Sequence, residues 1–551
     1  MISNVLSVFL SEGLRAAQTA GVVADIPVTG FAVERRHDDH AHYSSAESMR
    51  LARVLGSSPR NIADAIVTHL PTSPVVRSVE AAGPGFINIW LDDEWVLDQI
   101  PAINSAGNTF GHTNIGNGLR VQVEFVSANP TGPLTAGAGR GGVVGDALAR
   151  LLETCGYDVT REYYVNDAGY QIEMLGLSVY HYYAKTLGQD TPFPSEGYKG
   201  DYISAWGRLI ADEDNDQWLG HDTPNDVNGF EKRAIDIGLD HIRCDLDELG
   251  IKFDTWFSEK ELRTRGSVNA VIQDLEERGF VTHRDGATWF VGGEGVQDRE
   301  NVLVRSRGDP TYFASDIAYH RDKFQNRGFD HVIDIWGADH HGHVPRIKAA
   351  MEAIGVDVDG SQLEILVTQM VGIRADGELA RQGKRSGKFI TLRELLDEVG
   401  PAATRFFFLS KAIDSQMEFD LELAKREDPE NPVYYIQMAH ARCAGIERTA
   451  ASRNSSTTAG DATLIADDVN LTHHLLAYPE ILVEAAVNRE PHRIAHYLLE
   501  LARAFHSYYN KNRVVTENTA LTSKRIELVR AVRCVLANGL SVLGIEAPER
   551  M

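Results

Sequence analysis

Cysteine is scarce in this chain: four among 551 residues, Cys155, Cys244, Cys443 and Cys534, with no C-x-x-C spacing. That spacing offers neither a zinc site nor a disulfide framework, and a reducing, cytoplasmic setting fits it best. No run of ~18 apolar residues occurs, so no membrane contact is expected. The opening stretch "MISNVLSVFLSEGLRAAQ" lacks a basic leader, and Ser11 and Glu12 interrupt its apolar residues, so it reads as an amphipathic helix rather than a signal peptide. Low-complexity tracts are missing too, and 43% hydrophobic, 8% aromatic and 24% charged residues exclude a disordered chain. Positive charge is in deficit. With a formal net charge of −24 the mean field repels phosphate, so any nucleic-acid contact must use local basic patches.

A chain of this length exceeds one core, and domain-size statistics suggest about three to five domains. Residues 1 to 110 mix helical periodicity ("AESMRLARVLG", "NIADAIVTHL") with a strand-like end, "GPGFINIWL", which predicts a small α+β domain. Turn-rich "NSAGNTFGHTNIGNG" reads as a linker. Then "RVQVEF" reads as a strand and "VVGDALARLLETCG" as a helix. Its stripe is Val144, Ala147, Leu148, Leu151 and Cys155, and Gly156 is a C-cap signal. "YDVTREYYV" follows as a second strand. This βαβ unit begins a doubly wound parallel sheet over residues 118 to 420, to which "NVLVRS", "HVIDIWG" and "EILVTQMV" are expected to add parallel strands. Residues 165 to 285 read as a helical insertion, and residues 421 to 551 as a separate all-α bundle.

Between strand and helix lies "PLTAGAGRGG", with a literal G-x-G-x-x-G at Gly137, Gly139 and Gly142. A dinucleotide fingerprint must follow its strand at once, and here about ten residues intervene. Glu162 stands where a ribose-binding acid would stand, and a strand-face charge explains it equally well. Glycines that merely let helix and strand approach are a third reading.

The longer stretch "VEFVSANPTGPLTAGAGRGGVVGDALARLLETCGYDVTREYYVNDAG" resembles the first catalytic segment of bacterial arginyl-tRNA synthetases. The resemblance continues through "GYKGDYI", "FDTWFSE", "PTYFASDIAYHRDKF", "WGADHHGH" and "NPVYYIQMAHAR" to "APERM". It implies a class I synthetase: a doubly wound α/β catalytic domain, an N-terminal α+β domain touching tRNA, and a C-terminal helical domain for the anticodon. The implied substrates are L-arginine, ATP with Mg²⁺, and tRNA(Arg), and the implied enzyme is a cytoplasmic monomer, an arginine-tRNA ligase.

Residue by residue, Glu124, Asn129, Tyr312 and Asp316 match the positions that hold arginine. A guanidinium is a planar five-donor fork, which carboxylates and a phenol oxygen satisfy. Taken alone, Glu124 could be an edge-strand charge and Asp316 an N-cap. Gly137, Gly139, Gly337, Asp339 and His340 match ATP-contacting positions; the three histidines of "GADHHGH" could also suggest a metal site, which lacks a suitably spaced partner beyond Asp339. Tyr434, Arg442, Lys511 and Arg513 would meet tRNA, the competing reading being that Tyr434, Tyr435, Tyr508 and Tyr509 pack the bundle.

Two signatures depart from the family. Its His-x-Gly-His motif is here Thr135, Ala136, Gly137 and Ala138, without either imidazole, and its Lys-Met-Ser-Lys-type loop is here Arg381, Gln382, Gly383 and Lys384. Losing one preorganised transition-state donor typically costs ~10²–10³ in rate, and such losses need not multiply. Arginine activation is therefore expected to be slow. An arginine or tRNA sensor, or a tailoring enzyme that keeps the pocket without aminoacylation, is the alternative. "HDDHAHYSSAES" departs from the family's N-terminal pattern as well.

Overall fold

A computed structural model describes the chain except residues 28–29, 37–39, 221–227, 293–300, 359–361, 376–377, 380–389 and 453–462. Its centre is a five-stranded parallel sheet. We number its strands β1 (Arg120–Glu124), β2 (Asp158–Val165), β3 (Thr255–Ser258), β4 (His331–Gly337) and β5 (Leu363–Thr368). Their spatial order is β5-β4-β1-β2-β3. The chain thus winds outward from β1 in one direction, then returns to β1 and winds in the other. Between β1 and β4 the connections leave on opposite faces, which opens a crevice at the carboxyl ends of the strands where such folds take their ligands.

Burial follows from the apolar pattern. Val121 and Val123 of β1 are fully buried, and helix α1 (Ala136–Thr154) covers them with Val143, Val144, Ala147, Leu148 and Leu151. Glycine permits that approach: a Cβ on Gly145 would stand 2.3 Å from the Phe125 ring. Gly156, at φ +86, ends the helix in the left-handed conformation.

Two expectations about strands fail in instructive ways. "NVLVRS" adds nothing to the parallel sheet; Val302–Val304 instead pairs antiparallel with Ala287–Phe290, which pairs with Val281–Arg284. The cause is Asp285-Gly286, both at positive φ, a two-residue hairpin signal that closes a separate small sheet. Conversely, the edge strand β3 lies inside the stretch read as a helical insertion, after the long helices Tyr170–Thr186, Asp201–Asp214 and Asn228–Glu248.

At the N-terminus, four antiparallel strands are backed by the helices Ile2–Thr19, Glu47–Leu55 and Pro59–Thr68. Past the helix α4 (Leu392–Phe408; α2 and α3 are given below) come the five long helices α5 (Pro432–Ser452), α6 (Ala466–Leu476), α7 (Tyr478–Asn488), α8 (His492–Lys511) and α9 (Thr519–Val542). The two end regions meet each other. Glu480 of α7 accepts the Ser3 backbone N–H at 2.7 Å and the Tyr43 hydroxyl at 2.9 Å.

The central sheet is fastened to the helical bundle by one buried cation. Arg405 of α4, 1% exposed, donates to Asp146 of α1 at 2.6 Å, to the Leu249 carbonyl at 2.8 Å and to the Leu543 carbonyl at 2.7 Å. Removing one partner of such a pair strands a charge in low dielectric, at a cost of ~3–5 kcal/mol. Arg405→Met should therefore lower the thermal unfolding transition sharply, whereas an exposed pair such as Arg60–Asp64 should give almost no shift when Arg60 is replaced by Met; calorimetry of both variants checks the contrast.

Candidate functional site

Beyond β1 the backbone enters the left-handed region twice in succession, at Val126 (φ 65) and Ser127 (φ 39). A β-branched residue there is strained, and such strain concentrates where a fold presents functional groups. The turn lets the Ser127 hydroxyl donate to Glu124 Oε1 at 2.9 Å, while Ser127 Oγ accepts the Tyr164 backbone N–H at 3.0 Å. Glu124 is thereby fixed at the floor of the crevice.

The other oxygen of Glu124 meets a partner that sequence reading missed. Helix α2 (Tyr312–Arg321) runs into a π-turn, Asp322–Asn326, within which Lys323 is fully buried. Its ammonium lies 2.6 Å from Glu124 Oε2 and 2.7 Å from Asp334 Oδ1. His320 reaches the second oxygen of Asp334 at 2.7 Å. Burial alone would raise the Asp334 carboxyl, but Lys323 and His320 hold it down to about 2. Burial pushes the Glu124 carboxyl up, with Lys323 pulling against it. Both carboxylates share one ammonium; we take Asp334, which also has His320, as the firmly ionised member. Helical spacing could have found this cluster, since Tyr319, His320 and Lys323 follow Asp316 at steps of three, four and seven.

Of the arginine set read from the sequence, Tyr312 opens α2 and is 45% exposed, with the Arg263 guanidinium 6.0 Å from its ring centre. Asp316 lies one turn on. It is not an N-cap, because Thr311 caps this helix through the Ala314 N–H. Asp316 instead accepts from His343 Nε2 at 2.8 Å. Asn129 donates to Gln171 at 2.8 Å on the rim. A third carboxylate, missed earlier, is Glu259, nearly fully buried and paired with Arg263. Burial raises the Tyr164 hydroxyl above the ordinary phenol range, and the charges of Glu259, Asp316 and Glu124 raise it further. The negative charge of three carboxylates thus bears on the Tyr164 phenol, with the Arg263 guanidinium opposing it.

At the mouth of the crevice α1 presents its N-terminus. Thr135 is its N-cap, the hydroxyl accepting the Ala138 N–H at 3.2 Å. The close-packing reading accounts for several glycines: a Cβ on Gly139 would meet Leu392 at 2.6 Å and one on Gly142 would meet Val126 at 3.0 Å. Gly137 differs, facing space with only the Thr135 hydroxyl at 3.8 Å. The first turn carries no acidic residue, so the positive end of the helix dipole is left uncompensated toward that space. Across the crevice, Gly337 ends β4, and a 3-10 turn, Ala338–His343, exposes Asp339 and His340 before α3 (Val344–Ala353) begins. Arg381 and Lys384 lie outside the described residues. Glu162 is unlike a ribose-binding acid, being buried against Tyr319 and Arg327.

In the bundle, Arg442 of α5 lies 5.1 Å from the ring centre of exposed Tyr509 and borders a cavity of about 980 Å³. Lys511, Arg513, Arg448 and Arg550 line it as well. Tyr508 does pack the bundle, its hydroxyl on buried Asp468 at 2.7 Å, whereas half-buried Tyr434 is not among the lining residues.

Lys323→Met should expose the logic of the floor. In the native chain Asp334 contributes stability that is complete above about pH 4 and fades as pH falls through about 2. Without Lys323, Asp334 keeps His320 but Glu124 keeps only the neutral Ser127 hydroxyl, so the Glu124 carboxyl, already raised by burial, rises further and the variant loses stability as pH rises. Melting curves at about pH 5 and about pH 7.5 should show a deficit against wild type that widens at the higher pH; a deficit independent of pH would contradict this account.

Three family models match in chain order: arginyl tRNA synthetase N terminal domain at residues 9–91, tRNA synthetases class I (R) catalytic domain at 99–409, and DALR anticodon binding domain at 436–551. A protein of Citrifermentans bemidjiense named arginine–tRNA ligase is 45% identical over 547 residues, 98% of each chain. One of the same name from Desulforudis audaxviator is 44% identical over 556 residues, again 98% of each. The solved arginyl-tRNA synthetase of Thermus thermophilus shares the fold, with a TM-score of 0.78 at 23% identity over the whole of both chains.

Proposed function

The chain belongs to the arginyl-tRNA synthetase family, and from that premise we propose that it is a class I arginine-tRNA ligase working through the crevice between β1 and β4. The observation that carries this reading is that Glu124, Asp316 and Glu259 all act on the Tyr164 phenol, while β1, which ends in Glu124, leads on to α1, whose first turn holds no acidic residue. It pairs a cation-favouring pocket with an anion-favouring helix end, the two requirements of arginine and ATP.

In the proposed reaction the guanidinium lies among Glu124, Tyr312 and Asp316, with Asn129 at the rim toward the amino-acid end. ATP enters as its Mg²⁺ complex, the metal travelling on the phosphates as part of the substrate. Gly137 and Gly139 border the phosphates, and Gly337, Asp339 and His340 border the nucleoside. A carboxylate oxygen of arginine attacks the α-phosphorus, the bond to pyrophosphate breaks, and arginyl-adenylate forms. The terminal ribose hydroxyl of tRNA then attacks the adenylate carbonyl carbon and AMP leaves. The N-terminal domain, residues 1–110, meets the tRNA body, while Tyr434, Arg442, Lys511 and Arg513 in residues 421–551 meet the anticodon limb. We further propose that the enzyme acts as a monomer in the cytoplasm.

Catalysis of the first step rests on fewer donors than the family's motifs supply. At the positions of the two imidazoles stand Thr135, whose hydroxyl oxygen is engaged in capping α1, and Ala138, which has no side-chain donor. Arg381 and Lys384 keep positive charge in the second signature.

Charging of tRNA(Arg) with radiolabelled arginine, together with pyrophosphate exchange in the presence of tRNA, tests the assignment; product at background level in both would refute it. Replacing Thr135 and Ala138 together by His should raise pyrophosphate exchange by ~10²-fold or more. An unchanged rate would mean that phosphate donors are not what limits the enzyme. Asp316→Ala should weaken arginine binding by at least about tenfold, read by titration calorimetry, since it removes a charge-assisted partner of the guanidinium.

A further inference from the structure

The Ala338–His343 turn does more than border a nucleoside. Its last histidine turns inward. The His343 ring lies against Trp336, the centres 5.7 Å apart and the planes at 26°, and meets the Phe313 ring in a T-shaped contact with centres 5.8 Å apart. Its side chain keeps 16% exposure. Nε2 sits 2.8 Å from Asp316 Oδ2, and Nδ1 faces Nη2 of Arg346 from the first turn of α3.

A guanidinium can only donate, so Nδ1 must accept from Arg346, and the ring hydrogen then resides on Nε2 and is donated to Asp316. The order Arg346 to His343 to Asp316 thus runs in one direction. It holds one oxygen of the carboxylate and leaves Oδ1 without a hydrogen-bond partner among the described residues. The carboxylate is thereby fixed in plane and rotation, which a planar fork of donors requires of its acceptor.

We propose that His343 is a positioning residue for amino-acid recognition, locking the Asp316 carboxylate in the orientation that receives the guanidinium and joining that pocket to the turn that borders the nucleoside. The proposal rests on the assignment of Asp316 to the arginine pocket. It differs from that assignment in placing the specificity of the pocket partly in a side chain that does not touch the substrate.

Two variants separate positioning from general support. His343→Phe keeps the ring against Trp336 and deletes both polar atoms. His343→Gln retains an amide N–H for Asp316 and an oxygen for Arg346. Titration calorimetry of the full chain with L-arginine should show about tenfold weaker binding for the Phe variant and a return to within about threefold of wild type for the Gln variant. The KM for ATP in pyrophosphate exchange should move less than about threefold in both. Equal arginine affinity in wild type and the Phe variant would overturn the proposal. So would a Gln variant as weak as the Phe variant, or a parallel loss of ATP affinity, which marks a merely structural role. Asp316→Ala serves as the reference. If it binds arginine as wild type does, or if wild type binds none, the pocket assignment fails and the proposal falls with it. If Asp316→Ala loses binding while His343→Phe does not, the proposal alone is wrong.

Discussion

One ammonium group organises the ligand-binding end of the central sheet. Lys323 stands between a carboxylate from β1 and a carboxylate from β4, the two strands whose connections part to form the crevice. Two buried negative charges at that seam would repel each other and resist burial; a single cation lets the paired positions Glu124 and Asp334 both carry carboxylates on neighbouring strands. Lys323 is carried by the π-turn Asp322–Asn326 that ends α2, on the helix face it shares with Asp316, Tyr319 and His320. The strained turn at Val126 and Ser127 serves the same end from the opposite side, turning the Ser127 hydroxyl back onto Glu124.

The loop that leads into α1 can be understood apart from its altered motif. Its shape is held by packing and backbone pairing: Gly139 against Leu392, Gly145 against Phe125, the Ala136 N–H on the Ile390 carbonyl and the Leu392 N–H on the Leu134 carbonyl. None of these contacts needs an imidazole. The shape of the loop is therefore separable from the side chains of its motif, which explains how the chain matches its family over nearly its full length while both histidines of one signature are replaced.

The fold was largely legible in residue order. β1, α1, Gly156 and β2 fall where alternation, helical periodicity and a C-cap signal put them, because each is a local pattern that burial then reinforces. "NVLVRS" misled because a buried parallel strand and a short hairpin partner share the same apolar run, and the arbiter, Asp285-Gly286, lies fifteen residues or more upstream. β3 is four residues long and edge-placed, too brief to carry a period. Within the site, Glu124 and Asp316 were named from motif position; helical spacing from Asp316 points to Lys323, whereas Glu259 and His343 lie on other elements, and no local pattern reports a partner that far along the chain. The Asp316 capping alternative failed because Thr311, five residues earlier, is the better-placed oxygen.

The junction at Glu480 bears on how the molecule comes into being. Ser3 and Glu480 are 477 residues apart, and Tyr43 and Glu480 are 437 apart. At roughly 5–20 residues per second, a ribosome needs on the order of half a minute or more to reach that carboxylate after the first helix has emerged. Throughout that interval the surface that carries Ser3 and Tyr43 stands without its Glu480 partner, so this clasp can form only after residues 1–110 have had time to fold.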